Sequence, residues 1–171
     1  QIRDVKVELT KGTNIYGWII KPLNFNPNKK YPLILDIHGG PHAAFMNTFR
    51  GSYPMTLASM GCAVLQMNPR GSTGWGEKFS RYLGDGRGKK DFPELLRAIE
   101  YISTERWIDT NRLGITGYSY GGFMTAWAIT QTNMFKAAVW GAGVANLYTH
   151  YAYTDNTSPR YPEMGGSPWE N

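Results

Sequence analysis

The stretch Leu113-Gly114-Ile115-Thr116-Gly117-Tyr118-Ser119-Tyr120-Gly121-Gly122 decides how this chain is read. Leu113–Thr116 is a short run suited to a buried strand, and Gly121–Thr130 follows with helical patterning. Between them, Gly117 and Gly121 let the backbone bend where a Cβ would clash. Strand, tight Gly-x-Ser-x-Gly bend and helix together describe a nucleophile elbow, which thrusts the Ser119 hydroxyl out at the end of a sheet. The helix behind the bend aims free N–H groups and a partial positive charge at the same point. The Tyr120 N–H is then placed to hold an oxyanion. The plainer alternative is a Gly-rich turn with an ordinary serine. In a chain with 20 Gly, the flanking strand and helix are what separate the two.

Working outward, the elements alternate. Val5-Lys6-Val7-Glu8-Leu9 reads as a half-exposed strand, Lys11–Asn14 as a turn and Ile15–Ile20 as the second strand of a hairpin. Leu33–Ile37 is a continuous apolar run broken only by Asp36, as in a strand buried on both faces. Tyr53–Met60 predicts a short helix closed by Gly61, and Ala63–Met67 another buried strand. Residues 68–90 form a long Gly-rich connection. Phe92–Trp107 has helical spacing with Pro93 in its first turn, 109–111 is a turn, and Ala137–Trp140 is a last strand. This order predicts an α/β fold: an open, mostly parallel, doubly wound sheet with helices on both faces and an N-terminal hairpin. Ligands of such sheets sit at the carboxyl ends of the strands.

Two further segments occupy such ends. His38-Gly39-Gly40-Pro41 directly follows a buried strand, where this architecture draws the other oxyanion donor. His38 itself is read as a structural imidazole under the loop, since a residue inside an oxyanion loop is poorly placed to be a general base. Asn68-Pro69-Arg70-Gly71-Ser72-Thr73-Gly74-Trp75-Gly76 has the Gly spacing of a phosphate loop, but Glu77 stands where that loop needs Lys. Arg70 reads first as a guanidinium tying loops together, with substrate contact as the alternative. Tyr118, Trp75 and Arg70 are the candidates for a substrate pocket.

Composition narrows the rest. The 171 residues are 42% apolar and 18% charged, which excludes charge-driven disorder. A net charge of +5 permits nucleic-acid binding, yet the basic residues are scattered and no recognised module accompanies them, so no nucleic-acid partner is expected. No apolar window approaches the ~20 residues that span a bilayer, so no membrane partner is expected either. His38, His42 and His150 share no helix, and Cys62 is alone, so neither a metal site nor a cofactor is expected. The lone cysteine points to a reducing compartment, with the cytoplasm as the expectation.

With these segments quoted, the chain resembles the prolyl oligopeptidase family of serine peptidases, in its acylaminoacyl-peptidase-like branch. The likeness runs through Asp36–His42, Asn68–Gly76, Arg112–Met124 and Gly165–Asn171, in the family's order. It implies an α/β-hydrolase catalytic domain acting on short peptides, with Ser119 as nucleophile and the amides of Gly40 and Tyr120 as oxyanion donors. It also implies a β-propeller before Gln1. An α/β-hydrolase needs Ser, then an acid, then His along the chain. After Ser119 the only His is His150, and Asp155 follows it, which is the wrong order. Residues 1–171 are therefore expected to be part of a catalytic domain ending before the last strands, with the acid and His beyond Asn171 and the piece alone inactive. An apolar edge at Ala137–Trp140 would pair with another copy or with a companion segment. An esterase or lipase on the same fold, and a non-catalytic binding module, remain the alternatives.

Overall fold

Alternating apolar and polar side chains fold the first 20 residues into a hairpin. The computed structural model describes residues 1–46, 53–155, 167 and 169. In it, β1 (Ile2–Thr10) and β2 (Thr13–Ile20) pair antiparallel. Val5, Val7, Ile15 and Ile19 turn to one side and are buried. The chain continues as β3 (Tyr31–Ile37), α1 (Tyr53–Ser59), β4 (Ala63–Asn68), α2 (Glu77–Ser80), α3 (Phe92–Ser103), β5 (Ile108–Tyr118), α4 (Tyr120–Gln131), β6 (Phe135–Gly141) and α5 (Leu147–Tyr153). The described strands form one six-stranded sheet ordered β1-β2-β4-β3-β5-β6. β2 runs antiparallel to β4, whereas the pairs β3–β4, β3–β5 and β5–β6 are parallel.

Parallel neighbours require crossovers, and the crossovers cover the sheet on both sides. Leu33, Leu35, Ile37, Leu65, Met67, Leu113 and Ile115 form the larger core with α3 and α4. On the opposite face, Ala58 of α1 packs on Ile20 and Val64. Asp36 also lies on that face, fully buried. The Tyr53 hydroxyl donates to one carboxylate oxygen, and Gln66 Nε2 donates to the other at 2.7 Å. Burial pushes the Asp36 carboxyl above the usual carboxylate range, against the pull of both hydrogen bonds.

Four elements depart from the periodicity. The helix expected to reach Trp107 stops at Ser103, where the bonding tightens to three-residue steps: Thr104 N–H donates to Tyr101 O (3.4 Å) and Glu105 N–H to Ile102 O (3.0 Å). The turn expected at 109–111 is a bulge inside β5: Pro32 pairs with Asp109 and the next residue, Leu33, with Leu113. Asp109 holds that bulge by accepting from Asn111 N–H (3.1 Å) and Arg112 Nε (2.7 Å). α2 and α5 were not expected: α2 is a single turn, and α5 buries no residue and so has no apolar face to show in the sequence. β6 is an edge of the sheet, with Val139 65% and Trp140 51% exposed. Among the described residues no helix is long and apolar enough to cross a membrane.

Leu65 on the central strand β4 is fully buried, whereas Leu23 is 67% exposed. Leu65→Ala should lower the unfolding free energy by about 2–5 kcal/mol. Leu23→Ala should change it by no more than about 0.5 kcal/mol. Denaturant midpoints check both.

Candidate active site

β5 ends at Tyr118 and α4 begins at Tyr120, so Ser119 alone makes the bend. It does so with φ +57° and ψ −116°, a sparsely populated conformation for a residue with a Cβ. Such strain costs about 1–3 kcal/mol and persists only where the surroundings enforce it. Two main-chain bonds do so here: Ser119 N–H donates to Gly141 O (2.9 Å), and Ser119 O accepts from Phe123 N–H (3.0 Å). The flanking glycines are required by space. A Cβ on Gly121 would lie 2.0 Å from the Ile37 carbonyl oxygen, and one on Gly117 would lie 2.5 Å from the Gly121 backbone. The Ser119 side chain is exposed and makes no capping bond with its own helix. Tyr120 opens α4, so its N–H has no carbonyl one turn back to bond with inside the helix.

The loop after β3 passes directly against this serine. A Cβ on Gly39 would sit 3.3 Å from Ser119 Cβ. Gly40 has φ +119°, and a Cβ there would strike the His42 N–H at 2.6 Å. The His38 ring is held between two partners, with Nδ1 2.7 Å from Gly39 O and Nε2 2.9 Å from Ser72 Oγ. Burial pulls its pKa below the ordinary imidazole value, against the Gly39 bond that raises it. The Gly39 carbonyl can only accept, so Nδ1 carries the ring proton, while Ser72 Oγ sits between Nε2 (2.9 Å) and Pro69 O, to which its hydroxyl donates at 2.7 Å. Because a trans peptide points its C=O and N–H in opposite directions, fixing Gly39 O toward His38 turns the Gly40 N–H away from it.

The Gly-rich segment expected to be a connection is the clamp for this loop. His42 Nδ1–H donates to Gly71 O (2.9 Å) and Thr73 N–H to Ala43 O (3.0 Å). Asn68, fully buried, accepts from Phe45 N–H (2.8 Å) and donates to Phe45 O (3.2 Å). Arg70 ties loop to helix: its Nε and backbone N–H bond the two Glu94 oxygens at 2.6 and 2.8 Å, and its guanidinium lies 3.5 Å from the Tyr82 ring centre. The Glu94 carboxyl is nonetheless raised, since burial outweighs Arg70.

A cavity of about 90 Å³ brings together Gly40, Ser119 and Tyr120, three residues singled out from sequence. Phe123, Val144 and Leu147 supply its apolar wall, and Arg87 and His150 its polar one. Trp75 and Arg70 lie elsewhere: Trp75 stacks on Tyr16 with centroids 5.8 Å apart, and Arg70 is engaged by Glu94. Tyr118 is 65% exposed and lines a separate cavity of about 420 Å³ beside Asp36 and His38. His150, set aside on chain order, lines the Ser119 cavity from the short helix α5. Val144, Leu147 and Arg87 carried no sequence signal of their own. Among the described residues no three His, Cys, Asp or Glu groups could hold a metal ion.

Two outcomes follow from this geometry. Gly121→Ala should cost about 3 kcal/mol or more, because the new methyl meets a strand carbonyl rather than a flexible side chain; calorimetry reads it directly. For His38, the ring pKa in the fold lies below its unfolded value. Its contribution is therefore intact above ~6.5 and erodes as pH falls from there toward the depressed value, where the unfolded chain binds the extra proton. His38→Asn should flatten the part of the stability loss below pH ~6.5 that His38 causes, and an unchanged slope would contradict this.

Known proteins share this chain's sequence pattern and fold. The sequence model of the prolyl oligopeptidase family matches residues 47–171. The uncharacterized peptidase YuxL of Bacillus subtilis is 39% identical over 89% of this chain and 23% of its own length. Dipeptidyl-peptidase 5 of Schizosaccharomyces pombe is 32% identical over 95% of this chain and 24% of its own. Pyrococcus horikoshii acylaminoacyl peptidase superposes with a TM-score of 0.91 at 34% identity, covering 100% of this chain and 28% of that one. An acylaminoacyl peptidase in complex with Z-Gly-Gly-Phe-chloromethyl ketone does so with a TM-score of 0.89 at 36% identity over the same shares. The chain thus spans about a quarter of the length of these relatives, and its sheet and helices are those of their α/β-hydrolase fold. The family-like segment Gly165–Asn171 lies, apart from Ser167 and Trp169, outside the described residues. The match over 73% of the sequence, the shared fold and the elbow geometry agree, and this chain belongs to the prolyl oligopeptidase family.

Proposed function

We propose that residues 1–171 carry the nucleophile and the oxyanion site of a serine peptidase that hydrolyses short peptides by acyl transfer. The observation that supports this most is the meeting of Ser119, strained at φ +57°, with Gly40 and Tyr120 around one cavity. Ser119 Oγ attacks the scissile carbonyl carbon while a base takes its proton. The oxyanion that forms is held by the N–H groups of Tyr120 and Gly40. The C–N bond then breaks, the amine leaves with the proton, and water hydrolyses the acyl-serine ester by the same steps. The apolar wall of Phe123, Val144 and Leu147 favours an apolar side chain beside the cleaved bond. The relatives named dipeptidyl and acylaminoacyl peptidases, one of them holding a Phe-containing peptidyl chloromethyl ketone, support peptides as the substrate class.

The base is assigned to a histidine beyond Asn171, preceded by its acid, because this fold orders the triad Ser, acid, His. His150 is assigned to the substrate wall: it lines the cavity, and no Asp or Glu lies between Ser119 and His150 to serve as its acid in that order. The exposed apolar edge of β6 supports a further strand from the rest of the same polypeptide as its neighbour, since the chain spans about a quarter of its relatives. The half-buried Cys62 fits a reducing compartment.

In the full-length protein, Ser119→Ala should lower kcat on the order of 10⁶-fold and abolish labelling by a fluorophosphonate, the size of loss seen when a triad nucleophile is removed. His150→Ala should stay within about tenfold of wild type in kcat, since removing a true base costs as much as removing the serine. Residues 1–171 alone should show negligible turnover. Peptide hydrolysis that survives Ser119→Ala would refute the assignment.

A further inference from the structure

Asp91 is fully buried where the 68–90 connection meets α3. One carboxylate oxygen, Oδ1, does the local work: it accepts from Gly88 N–H at 2.8 Å and from Phe92 N–H at 3.1 Å, which caps the helix. Capping leaves the second oxygen unexplained. That oxygen receives the hydroxyl of Tyr120, the residue immediately after Ser119. Burial first, then the Asp91 charge, push the Tyr120 phenol well above its ordinary pKa, so it remains an O–H donor.

A second tie lies one face-repeat further along the same helix. Trp127 Nε1 donates to Gly88 O at 3.0 Å, and a Cβ on Gly88 would sit 2.9 Å from that nitrogen. Tyr120 and Trp127 are seven residues apart and so project from one side of α4. The segment Gly88–Phe92 is thereby fastened to α4 at its first residue and two turns on. Around the Tyr120 ring, Phe123 packs at 5.6 Å between centroids and the Arg87 guanidinium lies 5.6 Å from the ring centre.

We propose that Asp91 is a positioning residue for the nucleophile elbow, acting through the Tyr120 hydroxyl. This rests on the reading of Ser119 as nucleophile. A strained serine is stable only if both sides of it are held. On the strand side, Gly141 holds Ser119 N–H. On the helix side, the Asp91–Tyr120 bond fixes the far end of the very side chain whose backbone N–H faces the oxyanion. Loosening that end lets the bend relax and turns the Tyr120 N–H off its target. Loss of a whole oxyanion donor costs ~10²–10³ in turnover, and a donor that is misdirected rather than lost costs less.

The test uses the full-length protein with a peptide substrate and a fluorophosphonate probe. Tyr120→Phe should lower kcat about 10–100-fold, leave KM within about twofold, and slow labelling of Ser119 by a factor like that in kcat. Asp91→Asn should stay within about fivefold of wild type, because the amide keeps an oxygen for the two N–H groups and offers an N–H to the Tyr120 oxygen. Asp91→Ser still caps α3 but is too short to reach Tyr120. It should reproduce the kcat loss, and it carries the test if Tyr120→Phe does not fold. A Tyr120→Phe protein that melts earlier yet keeps kcat within twofold would overturn the inference and leave the tie purely structural. Asp91→Asn losing as much as Tyr120→Phe would also overturn it, since the charge and not the bond would then matter. Wild type that takes no label overturns the proposed function and this inference together. Labelled wild type with an indifferent Tyr120→Phe overturns this inference alone.

Discussion

The start of α4 rests directly on the end of β3. The measure of that contact is the absent side chain of Gly121, whose Cβ would lie 2.0 Å from the Ile37 carbonyl oxygen. Ile37 is followed at once by His38-Gly39-Gly40, and Gly121 is preceded at once by Ser119-Tyr120. One close approach of helix to strand therefore brings two sequence-distant halves of a site to a single cavity. A larger residue at 121 would push α4 away along its axis and separate them. In this fold backbone proximity does the assembling, and the side chains refine it.

Refinement falls to polar groups removed from the reacting atoms. The Gly39–Gly40 peptide is oriented by the His38 ring, which Ser72 braces in turn. The same loop is tied to the 68–90 connection by its own His42, which donates to Gly71 O, and by Asn68, which accepts from Phe45 N–H. Each of these groups is at least part-buried, where an unpaired polar atom costs about 1–3 kcal/mol, so each bond is hard to give up. Glu94 and Asp91 hold the next layer, one through Arg70 and one through Tyr120. Their raised carboxyl pKa values show that burial dominates even with these partners. The Gly-rich connection, which looks like slack chain, is where most of this bracing resides.

Much of this was legible from residue order alone. The hairpin, the buried runs of β3 and β4 and the strand–bend–helix at Ser119 follow from period and glycine placement. Helix ends were less readable: α3 stops four residues short of Trp107 in a tight last turn, where Thr104 and Glu105 N–H bond back to Tyr101 and Ile102, while the apolar spacing runs on. The pocket was least readable. Trp75 looks like a substrate contact as a residue type, yet it stacks on Tyr16, whereas Arg70, read first as a tie between loops, pairs with Glu94.

What the sequence by itself determined is the chemistry-bearing bend, the order of elements and hence the parallel sheet, because these depend on local backbone freedom and on periodicities of two and 3.6 residues. Only the tertiary structure decided which side chains surround Ser119. Val144, Leu147 and His150 come from the segment after β6, and Arg87 from a loop strapped to α4. Such contacts arise between residues that no local period relates, so they exist only once the chain has packed.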